Sequence, residues 1–480
     1  MTTAPEPIDR PTPPVAVIGA GPAGLTAANE LAAHAVPVVV LEQDRQIGGL
    51  AKTVEYRGFR FDIGGHRFFT RQQTILTLWQ SLLGDDLLVR PRQSRILYGG
   101  RYFNYPLRLF NTLRNLGIAE SCRILVSYLQ ARLSPIRPEA SLADWVTNRF
   151  GRRLFELFFK SYTEKVWGIS CDEIRAQWAA QRIRGLSLRT AALAMLLPAW
   201  RRGGRLRTLT DRFYYPRLGP GMMWDALATR ITAAGGMVCL ESPVVAIHHD
   251  EDRLTRLVSG WGSKRAEWEV SRVIATMPLR TLVRRLIPPP PPEIVAAADR
   301  LRYRDFLTVA LVVDAPDLFP DNWLYIHDET VRVGRIQNYR NWSVEMVPDR
   351  GRSFLGMEYF CFAGDELWEM EDAELVALAK EELVQLGLAT AAQVSDGTVV
   401  RMPKAYPVYD EGFEEAVSTI RAYLDRFRNL QVIGRNGMHR YNNMDHSMLT
   451  GLLAARNLLG ENHDPWLVNV DGQYHEEDIG

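Results

Sequence analysis

The chain has 480 residues, 46% of them hydrophobic and 24% charged, with a formal net charge of +1. That balance excludes a disordered or fibrous chain, gives no general basis for nucleic-acid binding, and at this length implies two or three domains. Four cysteines, Cys122, Cys171, Cys239 and Cys361, lack metal-ligand spacing and read as reduced core residues, so no metal and a cytoplasmic setting are expected.

Residues 1–14 hold five prolines and no apolar core, and read as a disordered lead. Residues 15–24 then predict a buried strand running into a glycine turn that opens a helix. Gly19 and Gly21 allow the tight turn and the approach of backbone N–H groups to a pyrophosphate, and Gly24 lets the helix lie close to the strand. Pro22 and Ala23 complete this phosphate cradle. A second strand over 36–41 ends in Glu42, whose carboxylate can accept hydrogen bonds from a ribose, with Gln43 beside it. Strand, helix, strand and acid in this register predict a dinucleotide cofactor. The doublet Gly48-Gly49, with Leu50, and the later stretch Phe61-Asp62-Ile63-Gly64-Gly65-His66 suit a long cofactor, and favour FAD over NAD.

A helix is predicted over 72–84, and a hairpin over 94–105 turning at Gly99-Gly100. From 106 to about 200, apolar residues recur at three- and four-residue spacing, with breaks near 135–138 and at Gly151. This is a helical insertion, with Phe150, Phe155, Phe158, Phe159, Tyr162, Trp167 and Trp178 mostly in its core. Residues 190–200 are apolar and flanked by Arg182, Arg184, Arg189, Arg201 and Arg202. They read as a packed helix, with membrane-surface contact as the alternative, and no run reaches the ~20 residues of a membrane span.

An irregular arginine-rich stretch carries Arg205, Arg207, Tyr214 and Tyr215 and ends at Gly219-Pro220-Gly221, where a helix over 222–234 begins. Short strands over 238–240, 244–248, 253–258 and 268–275 return the chain to the cofactor domain, with Val244 assigned to the cofactor. Residues 288–292 read as a stiff linker. Strands over 307–313, 323–327, 334–339 and 353–360 predict an antiparallel sheet that walls the substrate. An amphipathic helix over 371–386, a buried strand over 430–434 and a helix over 445–459 capped by Asp445 follow. The tail is read as surface, with His463 and His475 lacking partners at metal spacing.

The fold class is therefore α/β: a Rossmann-like FAD-binding domain with a helical insertion and an antiparallel-sheet substrate domain. After the lead, FAD-binding segments span 15–75, 206–280 and 396–460. The helical domain spans 76–205, the substrate sheet 281–395 and the tail 461–480.

Two longer motifs narrow the reading. Tyr162-Thr163-Glu164-Lys165-Val166-Trp167-Gly168 closely resembles the signature of UDP-galactopyranose mutases. So does the run from Gly434, Arg435 and Gly437 through Arg440, Tyr441, Met444 and Asp445. Gly334-Arg335-Ile336 and Tyr406-Pro407-Val408 match less closely. The glycine doublet after the acidic residue also resembles flavoproteins of the glutathione reductase, amine oxidase and protoporphyrinogen oxidase type. The resemblance implies non-covalent FAD, active when reduced by an external donor such as NAD(P)H. It also implies a redox-neutral pyranose-furanose mutase acting on a UDP-sugar through an N5-sugar adduct.

By position, the resemblance makes Tyr162 the uracil stack with Trp167 near it. Arg335 and Arg435 hold the diphosphate, and Tyr406 and Tyr441 add contacts. Arg207 and Tyr215 correspond loosely to a further substrate-binding stretch. Gly64, Gly65, His66, Gly434, Arg435, Met444, Asp445 and Ser447 are assigned to the cofactor.

Two positions depart from the family. In His66-Arg67-Phe68-Phe69-Thr70, Phe69 replaces a histidine beside the flavin, and Asn443 replaces an aspartate. With His66, Arg335 and Arg435 they are the catalytic candidates, and their change on the sugar side implies a sugar other than galactose. The alternatives are an oxidase or dehydrogenase of the amine oxidase and protoporphyrinogen oxidase type, or a flavin-binding subunit without turnover. The oligomeric state stays open.

Overall fold

The structure, a computed structural model, describes residues 13–105, 107, 109–176, 212–262 and 264–469. Trp178, Arg205, Arg207, His475 and the apolar stretch 190–200 lie outside the described residues. In chain order, Val15–Ile18 (β1) is followed by Pro22–Ala33 (α1), with proline in the first turn where its missing N–H is no loss. Next come Val38–Leu41 (β2), the hairpin of Thr53–Tyr56 (β3) and Phe59–Asp62 (β4), and Gln73–Leu83 (α2). Leu87–Pro91 (β5), Ser94–Tyr98 (β6) and Arg101–Asn104 (β7) lead to helices Leu109–Leu116 (α3), Ile118–Leu133 (α4) and Leu142–Phe150 (α5). Arg152–Phe155 (α6) continues through a π turn at Glu156–Lys160 into Ser161–Trp167 (α7).

The chain resumes with Arg212–Pro216 (β8), Gly221–Ala233 (α8), Met237–Cys239 (β9), Val244–Asp250 (β10) and Arg253–Trp261 (β11). Lys264–Glu269 (β12), Arg272–Ala275 (β13), Leu279–Arg285 (α9), Leu286–Ile287 (β14) and Pro292–Arg300 (α10) follow. Then come Tyr303–Val313 (β15), Trp323–Ile326 (β16), Arg335–Asn338 (β17), Ser353–Cys361 (β18) and Asp372–Gln385 (α11). Val394–Pro407 (β19), Phe413–Leu424 (α12), Leu430–Val432 (β20) and Met444–Leu458 (α13) close the described chain.

These elements form two compact units. The first takes the described residues up to Gly49, Trp224–Leu301 and Glu415–Val468. Its parallel sheet has the order β20-β13-β1-β2-β9, and a second sheet has the order β12-β11-β10-β14. Val15–Ile18 and Val38–Leu41 are buried throughout, as parallel strands covered on both faces require. Helix α13 packs on α1 so closely that a Cβ at Gly451 would stand 2.2 Å from the Ala23 carbonyl oxygen.

The second unit takes the described residues of Leu50–Met223 and Arg302–Glu414, with Asn469. Its seven-stranded sheet runs β19-β15-β18-β17-β16-β6-β7, antiparallel except where β16 pairs with β6. One face carries Leu307, Val309, Leu311, Ile336 and Met357, packed with Leu375, Ala379 and Leu383 of α11. Helices α4 to α7 have a separate core that includes Trp145, Phe150, Phe158 and Trp167. Helix α4 buries Ile124 and Ala131 but exposes Ile118, Leu125, Val126, Leu129 and Leu133. No helix among the described residues is long and apolar enough to cross a membrane.

Several local expectations are corrected. The run 268–275 is two strands in different sheets, broken at Val270-Ser271. The proline run does not stay extended, because Pro292 occupies the first turn of α10, which the sequence reading lacks along with α9 and α12. Residues 212–216 are a strand paired with β5, not an irregular stretch. Residues 396–407, assigned to a cofactor segment, belong to β19, which pairs with β15 from Val394 to Pro407. The N-cap of α13 is Asn443, with Asp445 buried inside its first turn. Cys171 and Cys361 are buried, Cys239 is half-buried and Cys122 is exposed on α4. His463 is bonded to Glu461.

Candidate functional site

In the first unit the glycine motifs converge. Gly19 has φ +103°, and a Cβ there would stand 2.2 Å from Thr276 Oγ1. Gly48 has φ +102° and donates to the Ala20 carbonyl at 2.8 Å. A Cβ on Gly49 would lie 3.3 Å from the Gly21 Cα, so two stretches far apart in sequence bring bare backbone together. A Cβ on Gly21 itself would meet no protein atom nearer than 4.0 Å, whereas one on Gly24 would stand 1.9 Å from the Gly19 carbonyl oxygen. Gly24 thus serves the packing of α1, while Gly21 borders open space at a helix start. No side chain caps that start, so the first-turn N–H groups near Pro22 and Ala23 remain able to meet an anion.

Glu42 closes this cradle. Its carboxylate accepts from the Ala20 amide at 2.6 Å and the Asp44 amide at 2.9 Å, and burial pushes its pKa above the usual carboxylate range. Gln43 beside it is exposed and Val244 is buried at the start of β10. Gly434, at φ +80°, lies against Ala23 of α1, and its amide donates to Thr450 Oγ1. Arg435 stands 4.1 Å over the Tyr441 ring and donates to the Asn442 carbonyl. Met444, Asp445 and Ser447 are buried in the uncapped first turn of α13, and Asn443 is half-buried. A long dinucleotide fits these residues: the bare backbone at Gly21 and Gly49 leaves room for a pyrophosphate that any Cβ would fill.

In the second unit, Arg335 opens β17, and its Nε donates to Glu358 Oε2 at 2.5 Å. A second guanidinium nitrogen donates to the Tyr406 hydroxyl at 3.2 Å. Glu358 is fully buried and also accepts from Gln337 Nε2 at 2.6 Å. Gly64 and Gly65 cross directly above: a Cβ on Gly64 would lie 3.9 Å from Glu358 Oε1, and one on Gly65 3.1 Å from Gln337 Nε2. His66 and Phe69 are half-buried in the same stretch. Tyr162 stacks on His327 at 4.9 Å and meets Tyr325 edge-on at 5.5 Å, and Tyr325 is the cross-strand partner of Arg335. Burial holds the Tyr162 pKa well above its ordinary value, pulls His327 down to about 3 and Lys165 down to about 8. Lys165 spends its ammonium on the carbonyls of Asp328 and Val333.

Two sequence candidates fall elsewhere. Tyr215 is fully buried, with its hydroxyl on Asp62 Oδ2 at 2.6 Å, because β8 is a strand facing the Phe59, Phe61 and Trp342 cluster. Trp167 packs in the helical core. Sequence reasoning missed Glu358, Gln337, Trp323 and Tyr325. The available signal was period-two alternation: each stands on the face opposite the apolar residues packed against α11. It also passed over Asp62, whose carboxyl burial pushes up to about 7 against hydrogen bonds from Tyr215 and Thr53.

The model of the flavin containing amine oxidoreductases matches residues 22–459. Among curated relatives, a probable UDP-galactopyranose mutase of Klebsiella pneumoniae is 26% identical over 174 residues, 34% of this chain and 43% of that protein. An inactive all-trans-retinol 13,14-reductase of Danio rerio is 58% identical over 50 residues, 10% of this chain and 8% of that one. The chain thus spans less than half the length of these two relatives. A crystal structure of reduced UDP-galactopyranose mutase superposes with a TM-score of 0.82 at 22% identity, covering 96% of this chain and 97% of that one. A putative protoporphyrinogen oxidase from Exiguobacterium sp. 255-15 gives 0.70 at 17%, covering 93% and 98%. Putrescine oxidase bound to putrescine gives 0.61 at 18%, covering 94% and 99%. At these identities the likeness to the solved structures is one of fold.

Proposed function

The chain belongs to the flavin containing amine oxidoreductase family and binds FAD; from that premise we propose that it is a redox-neutral mutase acting on a UDP-sugar. Reduced FAD, when bound, supplies a nucleophilic nitrogen toward an anomeric carbon. The protein's residues bind, orient and stabilise charge around that chemistry. The amides at the start of α1 hold the cofactor pyrophosphate, and Glu42 takes ribose hydroxyls. In the second unit Arg335 takes the diphosphate of the substrate, the leaving group, with a charge that needs no proton. Glu358 fixes the plane of that guanidinium, Tyr406 adds a hydroxyl, and Tyr162 offers its ring to the uracil. In the first unit Arg435, held over the Tyr441 ring, is the cation that the resemblance assigns to phosphate. An external reductant such as NAD(P)H, in the cytoplasm, supplies the electrons without net consumption.

The observation that carries this reading is the Arg335 guanidinium held by a buried carboxylate and a tyrosine hydroxyl, one cross-strand step from the ring against which Tyr162 packs. Phe69 favours a second reading, an oxidase, because an aromatic ring in place of an imidazole suits hydride abstraction from an apolar substrate. The two are separated by incubating dithionite-reduced protein with a panel of UDP-sugars and resolving pyranose from furanose, with oxygen uptake followed in parallel. Ring exchange by reduced protein with no sustained oxygen uptake is expected. Turnover by oxidised protein with stoichiometric oxygen uptake would replace the mutase with the oxidase.

A further inference from the structure

Helix α4 is apolar on two sides. Its inner side is seated: Ile124 and Ala131 are buried, Ser127 Oγ accepts from the Arg153 amide at 3.0 Å, and a Cβ on Gly151 would stand 2.7 Å from the Tyr128 amide nitrogen. The outer side carries Ile118, Leu125, Val126, Leu129 and Leu133. Each is at least half exposed, and Ile118 and Leu133 at the two ends are 85% and 86% exposed. At 3.6 residues per turn these five side chains fall within one arc of about 100°, with the exposed Cys122 inside it. A helix seated on a core normally turns polar residues outward, so an aliphatic stripe along the outside marks a surface that meets an apolar partner.

The surrounding charge selects that partner. From Leu109 to Pro138 the sequence holds four arginines and one acid, Glu120, whereas the whole chain has a net charge of +1. Arg132 borders one edge of the stripe and Arg123 the other. Glu120 pairs with Arg123 at 3.1 Å and also with Arg153, so one carboxylate faces two guanidiniums. Arg114, Arg132 and Arg137 are exposed and make no ion pair among the described residues. The stripe is convex, aliphatic and free of the aromatic anchors that centre a protein interface. Arginines at its borders can extend to headgroup phosphates while the leucines enter the acyl boundary. The helix is too short to cross a bilayer and would lie along its surface.

We propose that α4 docks the protein on an anionic lipid surface, with Ile118, Leu125, Leu129 and Leu133 in the acyl boundary and Arg132 and Arg137 on headgroup phosphates. The docking surface assumes nothing about the substrate and stands or falls separately from the mutase reading.

The test is co-sedimentation of the full, FAD-loaded chain with vesicles of phosphatidylcholine alone, or of phosphatidylcholine and phosphatidylglycerol in equal parts. The parent should bind the anionic vesicles at least roughly tenfold more tightly than the neutral ones. Leu125→Gln/Leu129→Gln should weaken binding to the anionic vesicles roughly tenfold or more. Arg132→Gln/Arg137→Gln should bind the two vesicle types nearly alike. All four substituted positions are exposed, so flavin absorbance and melting point should match the parent. Failure of the parent to sediment with either vesicle, or equal binding to both, would overturn the proposal, and neither result needs a variant. A folded leucine variant that sediments like the parent would also overturn it. Light scattering without lipid covers the other occupant: a dimer that the leucine variant dissolves would assign the stripe to a second copy of this chain and remove the lipid.

Discussion

The two units build their candidate sites from different material. In the first, the cradle is backbone: Gly19, Gly21, Gly48, Gly49 and Gly434 let main chain approach main chain, and Glu42 is the side chain that closes it. In the second, the site is a sheet face on which Arg335, Glu358, Gln337, Trp323 and Tyr325 come from three strands. A backbone site has no tolerance, because the added atom is always a Cβ in the same direction. A side-chain site can lose members singly. The difference predicts all-or-none failure in one unit and graded failure in the other.

The largest effects belong to the cradle, and two neighbouring glycines separate folding from cofactor. Gly24→Ala places a Cβ 1.9 Å from the Gly19 carbonyl oxygen, so no folded yellow protein should be recovered. A Cβ on Gly21 meets no protein atom nearer than 4.0 Å, so Gly21→Val should give folded protein with FAD content reduced at least roughly tenfold, because the side chain takes the place of the pyrophosphate. Circular dichroism and flavin absorbance read the two outcomes. A Gly21→Val protein that purifies fully yellow would show that the cradle holds no pyrophosphate.

The same difference explains what could be read in advance. Gly19 and Gly24 stand five residues apart and announce strand, turn and helix by spacing alone, so the cofactor unit was legible. The seven-stranded sheet was partly legible from its alternating strands, but β19 was not, since nine of its residues are half-buried and it shows no apolar rhythm. Glu358 lies within a strand buried along its whole length, where period-two alternation gives its face and the pairing with β17 gives Arg335 as its neighbour. Tyr215 entered through a loose correspondence to a substrate-binding stretch, and the strand that buries it had been read as irregular.

In the second unit, Arg335→Ala leaves the Glu358 carboxylate buried with Gln337 as a remaining donor, and breaking a buried pair of this kind costs ~3–5 kcal/mol. Urea unfolding of the ligand-free protein should show that loss. The double variant Arg335→Ala/Glu358→Ala should regain much of it, since the stranded charge is gone, while UDP binding stays lost. An unchanged urea midpoint in Arg335→Ala would show that the pair does not carry the site.

Asp62 and His327 give the next, smaller net effect, because their contributions oppose each other. Asp62 has its pKa raised from 3.8 to about 7, so its contribution is full below pH ~3.8 and is lost as pH rises through about 7. His327 has its pKa lowered from 6.5 to about 3, so its contribution is full above pH ~6.5 and is lost as pH falls toward about 3. Each is worth on the order of 4 kcal/mol across pH 4 to 6.5, with opposite sign. Relative to the parent, Asp62→Asn should make stability rise more steeply with pH, and His327→Phe should make it fall. Urea midpoints at pH 4.5 and 6.5 check both signs, and parallel shifts in the two variants would contradict the assignment.

The smallest effect tests whether the side-chain site is divisible. Tyr406→Phe removes one neutral hydroxyl, the acceptor of a 3.2 Å bond from Arg335, and keeps a ring that packs against Phe306 and Phe360. Arg335 stays anchored by Glu358, so stability should change by no more than about 1 kcal/mol. The guanidinium keeps its charge but loses one constraint on its plane, and UDP affinity should fall roughly fivefold with flavin content unchanged. Calorimetry beside the flavin spectrum measures both. Complete loss of UDP binding would mean that Tyr406 fixes the arginine as rigidly as the glycines fix the cradle, and the contrast between the two units would disappear.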